Sequence, residues 1–308
     1  MDIVFMGTPE FAVPCLERLI LDGHNVKGVF TQPDKPKGRG HKMQFPPVKQ
    51  CAVDAGIDVY QPTKMRDGEA LSILNELNPE LIIVVAYGKI LPEEILNFPK
   101  YGCINIHASL LPRYRGAAPI QWCVLNGETV SGVTSMQMDV GLDTGDMLLS
   151  KNVEIGLNDT AGDLHDKLSV LGAEVMSETI NLLIDGKLNP VKQNDAESNY
   201  SPMLSKDLCP IDWNDTAESV HNKVRGLSPW PVATAKWGDK TVKIHKTIVN
   251  NCSKGKPGEV IRSDKKLVVA CGSDTAVEII TLQLEGKKAM NADDFLRGNP
   301  IEVGTILE

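Results

Sequence analysis

Asn105 and His107 lie two residues apart in the run Cys103-Ile104-Asn105-Ile106-His107-Ala108-Ser109-Leu110-Leu111-Pro112. Side chains two apart on a strand share a face. The spacing therefore predicts a carboxamide beside an imidazole, with Ile104 and Ile106 turned the other way. An amide N–H can stabilise a growing oxyanion, and an imidazole can carry a proton. Downstream, Asp139-Val140-Gly141-Leu142-Asp143-Thr144-Gly145-Asp146 offers a carboxylate from a glycine-flanked loop. Together these groups have the parts for acyl transfer. Asp146 competes with Asp143 for the acid's role, and Asp139 reads as a turn residue. A lone histidine on an apolar strand is ordinarily a hydrogen-bonded core residue. The amide on its face and the S-L-L-P turn after it set His107 apart. His24, His41, His165, His221 and His245 have no such company.

The elements that must position these residues read as alternating strands and helices. Strand patterns cover 2–6, 26–31, 81–86 and 103–107, with helical patterns over 9–21 and 46–55. The run 81–86 is apolar on both faces, as a central parallel strand requires. This βαβ rhythm predicts an α/β doubly wound sheet with its ligand crevice at the carboxyl ends of strands. Residues 130–138 and 147–155 read as a further antiparallel pair around the Asp139–Asp146 loop. A long helix over 160–184 carries the stripe Leu164, Leu168, Leu171, Val175, Leu182, and Gly186 stops it. Periodicity then disappears between 189 and 207. Beyond it, short strands at 241–249, 258–262, 267–270 and 277–284 predict a small OB-like β-barrel, with one short helix over 291–297. The expected division is 1–189, a linker at 190–206, and 207–308. The S-P-W-P segment 228–231 is expected to pack Trp230 against the barrel.

Composition narrows the function classes. With 308 residues and 42% apolar content, two folded domains are the default expectation. Seven cysteines without a C-x-x-C pair predict reduced thiols in a cytosolic protein and no metal site. The chain opens directly on an apolar strand without a basic leader, and no stretch approaches the ~20 apolar residues of a membrane span. A cytoplasmic protein without a membrane partner is expected, a monomer in the simplest case. Net charge is −8, yet residues 207–308 balance 14 basic against 14 acidic side chains, with nine basic residues between 236 and 266. A local field of that kind suits a polyanion. Met6-Gly7-Thr8-Pro9 lacks the G-x-G-x-x-G pattern, which removes a nicotinamide-dinucleotide oxidoreductase.

The run N-I-H-A-S-L-L-P-R-Y-R-G with L-D-T-G-D downstream resembles the folate-dependent formyltransferases. The likeness extends through V-F-M-G-T-P-E-F-A, Q-P-D-K-P-K-G-R-G and S-P-W-P, and so over essentially the whole chain. It implies a Rossmann-like formyltransferase domain followed by the small barrel. The donor it implies is 10-formyltetrahydrofolate, and the acceptor is the free amino group of initiator methionyl-tRNA. Asn105 and His107 would bracket the oxyanion, and the family pattern L-D-x-G assigns the acid to Asp143. For the folate, the resemblance points to Ser109, Leu110, Leu111 and Pro112. The loop holding Tyr87, Gly88, Ile90 and Leu91, and the loop holding Val140 and Gly141, supply backbone groups suited to a pterin. Lys35, Lys37, Arg39 and Lys42, in a Gly- and Pro-rich loop, are expected to grip the tRNA acceptor end, with Lys206, Lys243 and Lys246 as outer contacts. Two rivals stand beside this reading: a formyltransferase acting on a small nucleotide or sugar amine, and a tRNA-binding relative without catalysis.

Overall fold

The computed structural model describes residues 1–37, 42–250 and 254–308. It divides into two compact units. The first comprises residues 1–116, 131–153 and 165–200; the second comprises 117–130, 154–164 and 201–308. The two segments 117–130 and 154–164 precede the 190–206 stretch in sequence yet belong to the second unit. Most of that stretch, up to Tyr200, belongs to the first.

The first unit is built on a seven-stranded sheet in which Asp2–Gly7 is an interior strand. Asn25–Phe30 and Val59–Tyr60 extend it on one side, Leu81–Val85 and Cys103–His107 on the other, all parallel. Val130–Gln137 joins antiparallel beside Cys103–His107, and Met147–Glu154 forms the edge. All five residues of Leu81–Val85 are buried, as the two-sided apolar run requires. Burying each such side chain stabilises the fold by about 1.5–3 kcal/mol before entropy is counted. Chain order reverses between Asp2–Gly7 and Leu81–Val85, so the crevice opens above their carboxyl ends. The helix Ala161–Ile184 covers one face of this sheet. Its Gly172 lies against Ile106, where an added β-carbon would sit 3.4 Å from Cγ2. Ile104 and Ile106 are thus committed to the core, and Asn105 and His107 take the opposite face.

In the second unit, Ala233–Trp237, Lys240–Asn250, Ala276–Leu284, Leu267–Ala270 and Val260–Ser263 pair in that order. The C-terminal residues close the ring. Leu307 N–H donates to Gly258 O at 2.8 Å and Val260 N–H to Thr305 O at 2.8 Å, while Lys236 and Glu308 exchange backbone hydrogen bonds. The expected barrel is therefore present, and residues 304–308 complete it. Trp230 departs from expectation, being 58% exposed instead of packed on the barrel. The helix Ala217–Gly226, absent from the sequence reading, carries a buried polar face.

On that helix His221 is buried, with Nε2 donating to the Leu157 carbonyl at 2.9 Å and Nδ1 accepting from Thr247 Oγ1 at 2.9 Å. Neutral imidazole satisfies both bonds. Desolvation first, and the charge of Arg225 after it, lower its pKa below the usual 6.5. The unfolded chain then binds the proton more readily, so stability present above about pH 6.5 is lost as pH falls toward the folded value. Thermal melts of the intact protein should show a falling transition temperature below that pH. His221→Gln should flatten that fall, and an unchanged pH profile would remove His221 as its source.

Candidate active site

His107 ends its strand with a side chain only 7% exposed. Nε2 lies 3.0 Å from the backbone oxygen of Tyr114. A carbonyl only accepts, so Nε2 carries the hydrogen and neutral imidazole keeps its lone pair on Nδ1. Nδ1 stands 3.8 Å from Asp143 Oδ2. That is too long for a direct hydrogen bond. It is the right separation for both atoms to reach one shared water or substrate atom about 2.8 Å from each.

Asp143 is fixed from several sides. Its backbone is left-handed, φ +53°, a conformation short polar residues tolerate. Oδ2 accepts from Gly116 N–H at 2.8 Å. Gln193 donates to the carbonyls of Asp143 at 2.9 Å and Gly145 at 2.7 Å. Gly145 tolerates no side chain, because a β-carbon there would collide with the Gln137 carbonyl. Close approach of loop to strand thus explains the glycine in L-D-T-G-D. Asp146 is exposed and is not the carboxylate facing His107. Asp139 accepts from Gly141 N–H at 3.0 Å and from Thr144 Oγ1 at 2.7 Å, which makes it the loop's turn residue.

The side-chain amide of Asn105, a half-buried residue on the same face as His107, makes no hydrogen bond to protein among the described residues. A polar amide left unpaired beside a buried imidazole is free for a ligand. Around this face the expected folate residues divide by role. Ile90 and Val140 are each 74% exposed, and Leu142 is 55% exposed, so the two loops present apolar side chains outward. Tyr87 instead points into the core, its hydroxyl 3.4 Å from Met65 Sδ, and its carbonyl accepts from Thr8 Oγ1 and Gln32 Nε2. Gly88 holds φ +76° and accepts from Gln32. Leu91 and Leu111 are buried. Ser109 Oγ donates to Arg113 O at 2.7 Å, and buried Thr134 holds Ser109 O and Leu111 N–H, which fixes the turn carrying Leu110 and Pro112. Gly141 gives its N–H to Asp139.

Two cavities adjoin these elements. One, about 350 Å³, is lined by Thr8, Gln32, Lys35 and Phe45 with several prolines. The other, about 390 Å³, is lined by Lys64, Arg66, Lys89 and Ile90 with Thr63 and Met65. The sequence reading passed over this cationic set, whose members are scattered among exposed turns. Its one signal was Lys89 within the Tyr87–Pro92 loop.

The basic loop is a hairpin, Lys35–Lys37 pairing Lys42–Gln44. Lys35 is exposed, and Arg39 lies outside the described residues, as does His41. Lys206 and Lys246 are exposed and Lys243 half-buried. Burial raises the Cys209 thiol's pKa, Lys206, Lys223 and Lys243 oppose that rise, and Asp207 adds to it. None of the three lysines is ion-paired among the described residues. Lys223 was not anticipated. No described cluster of His, Cys, Asp or Glu could hold a metal ion, and no described helix is long and apolar enough to cross a membrane.

Residues 1–180 match the formyl transferase family model, and residues 203–300 match the formyl transferase C-terminal domain model. The methionyl-tRNA formyltransferase of Clostridium novyi is 50% identical over 311 residues, covering all of both chains. That of Caldanaerobacter subterraneus is 52% identical over 310 residues, again covering all of both. Among solved structures, an N-formyltransferase from Helicobacter canadensis, in complex with folinic acid and dTDP-3-aminofucose, has the same fold. Its TM-score is 0.70 at 22% identity, covering 90% of this chain and 98% of its own.

Proposed function

The chain belongs to the formyl transferase family, and on that premise we propose how its residues act. It transfers a formyl group from 10-formyltetrahydrofolate to the free amino group of initiator methionyl-tRNA, for translation initiation. The unpaired Asn105 amide beside a tautomer-fixed His107 carries the assignment of the chemistry to this face.

The folate supplies an activated formyl carbon on N10. Asn105 Nδ2–H stabilises negative charge as it grows on the formyl oxygen. His107 Nδ1 takes the proton that the acceptor amine loses on attack. The imidazolium so formed faces Asp143, which neutralises it without a direct bond and shares a relay water with it. His107 then returns the same proton to the departing folate nitrogen, so no proton is gained or lost over the cycle. Ile90, Val140 and Leu142 exclude water around the pterin. Lys64, Arg66 and Lys89 face the glutamate carboxylates of the same molecule, which is where fixed cations are of use.

Residues 1–189 carry this chemistry, the segment 190–206 leads from them to the second unit while its Gln193 and Asn199 brace the site, and residues 207–308 supply the tRNA-binding barrel. Lys206, Lys243 and Lys246, with Lys223, contact the tRNA backbone, and the 35–42 loop grips the acceptor end. The protein acts in the cytoplasm as a monomer. A small-amine formyltransferase has no use for lysines that track an RNA backbone, and a non-catalytic relative needs no Asn105/His107/Asp143 set.

Formylation assays should use 10-formyltetrahydrofolate with methionyl-tRNA, uncharged tRNA and glycinamide ribonucleotide in parallel. Only methionyl-tRNA should be formylated. In the same assay, Lys206→Ala/Lys223→Ala/Lys243→Ala should raise KM for tRNA severalfold, leave kcat near normal and flatten the salt dependence. Turnover of glycinamide ribonucleotide instead, or no turnover at all, selects one of the rivals.

A further inference from the structure

Gln193 lies in the non-periodic segment after the long helix, where the sequence offers only a linker, yet it is 6% exposed. Its amide uses its full bonding capacity. The two N–H groups go to the carbonyls of Asp143 and Gly145, and Oε1 accepts from Arg115 Nε at 3.0 Å and Nη2 at 2.8 Å. The orientation is forced, because carbonyls need donors and a guanidinium needs an acceptor. Arg115 precedes Gly116, whose N–H holds the Asp143 carboxylate at 2.8 Å. Asn199, later in the same segment, accepts from Tyr114 N–H, on the residue whose carbonyl fixes the His107 tautomer. The supposed connector therefore grips both sides of the His107–Asp143 pair.

We propose that Gln193 is a positioning residue for formyl transfer, holding the left-handed Asp143 loop so that Oδ2 faces Nδ1. This rests on the reading of Asp143 as the acid of the site. Asp143 has no direct bond to His107, so their separation depends on what fixes the loop. Without the Gln193 donors, two carbonyls lose their partners and the φ +53° backbone can relax. A displacement of about 1 Å in such a pair costs on the order of 100-fold in rate.

Gln193→Ala and Gln193→Glu should be compared with the parent in single-turnover formylation of methionyl-tRNA. Glutamate keeps the acceptor for Arg115 and removes both donors, so rates should be taken well below each variant's own melting temperature. Both variants should lose on the order of 100-fold in the chemical step with little change in either KM. In an Asp143→Ala background the same substitutions should add almost nothing, since positioning has no object once the carboxylate is gone. A parental rate in Gln193→Glu overturns the proposal. So does a loss that multiplies in full onto Asp143→Ala, which would mark a purely structural role. Asp143→Ala with parental turnover would instead sink the acid assignment, and the two failures are thereby distinct.

Discussion

His107→Ala should lower kcat for methionyl-tRNA formylation by roughly 10²–10⁴-fold, with KM for both substrates little changed. The size follows from the proton ledger. The acceptor nitrogen must shed a proton and the folate nitrogen must gain one, and Nδ1 is the lone pair that the Tyr114 carbonyl leaves available on the imidazole. Asp143 does not substitute for it. Its Oδ2 is committed to Gly116 N–H, and its backbone is held by Gln193. The substitution also has a structural cost, because the Tyr114 carbonyl loses its partner in a buried setting, about 1–3 kcal/mol. Rates should therefore be taken well below the variant's own melting temperature. Added imidazole should restore part of the lost rate, since the cavity left by the ring opens toward Asp143. Turnover within a few fold of the parent would remove His107 from the proton path.

Period-2 alternation was enough to place Asn105 and His107 on one face, since Ile104 and Ile106 had to be buried. The apolar run 81–85 marked a central strand for the same reason. What the sequence hid were positions whose role depends on polar contacts made at long range. Gln193 sits in a stretch without hydrophobic periodicity, and its partners are 48 to 78 residues away. Ala217–Gly226 buries His221, Asn222 and Arg225, with the Arg225 guanidinium donating to Asn222 Oδ1 and to the carbonyls of Gly156 and Asp159. The same helix buries Ala217, Val220 and Val224 in the core, but that stripe is short and interleaved with the polar residues, so it does not stand out as a pattern. The convergence of Lys64 and Arg66 with Lys89 exists only in the folded chain. The closing segment 304–308 is too short to register as a strand alone, and its register is imposed by Lys236 and Val260.

Asn105→Ala should reduce kcat by roughly 10²–10³-fold, the loss of one oxyanion donor of about 2.7–4 kcal/mol. Its contrast with His107→Ala lies in stability. The Asn105 amide has no protein partner among the described residues and stands half-exposed, so truncating it orphans nothing in the folded chain. Melting temperature should stay close to the parent's while activity collapses. Asn105→Asp is the sharper variant, because at neutral pH it replaces a donor with an acceptor and sets a negative charge beside the oxyanion. It should be slower than Asn105→Ala, although aspartate is the closer match in volume. An architectural asparagine would give the reverse order, the isostere tolerated and the truncation not. Rates that rank Asp above Ala, or a melting temperature that falls with the activity, would remove Asn105 from the oxyanion site.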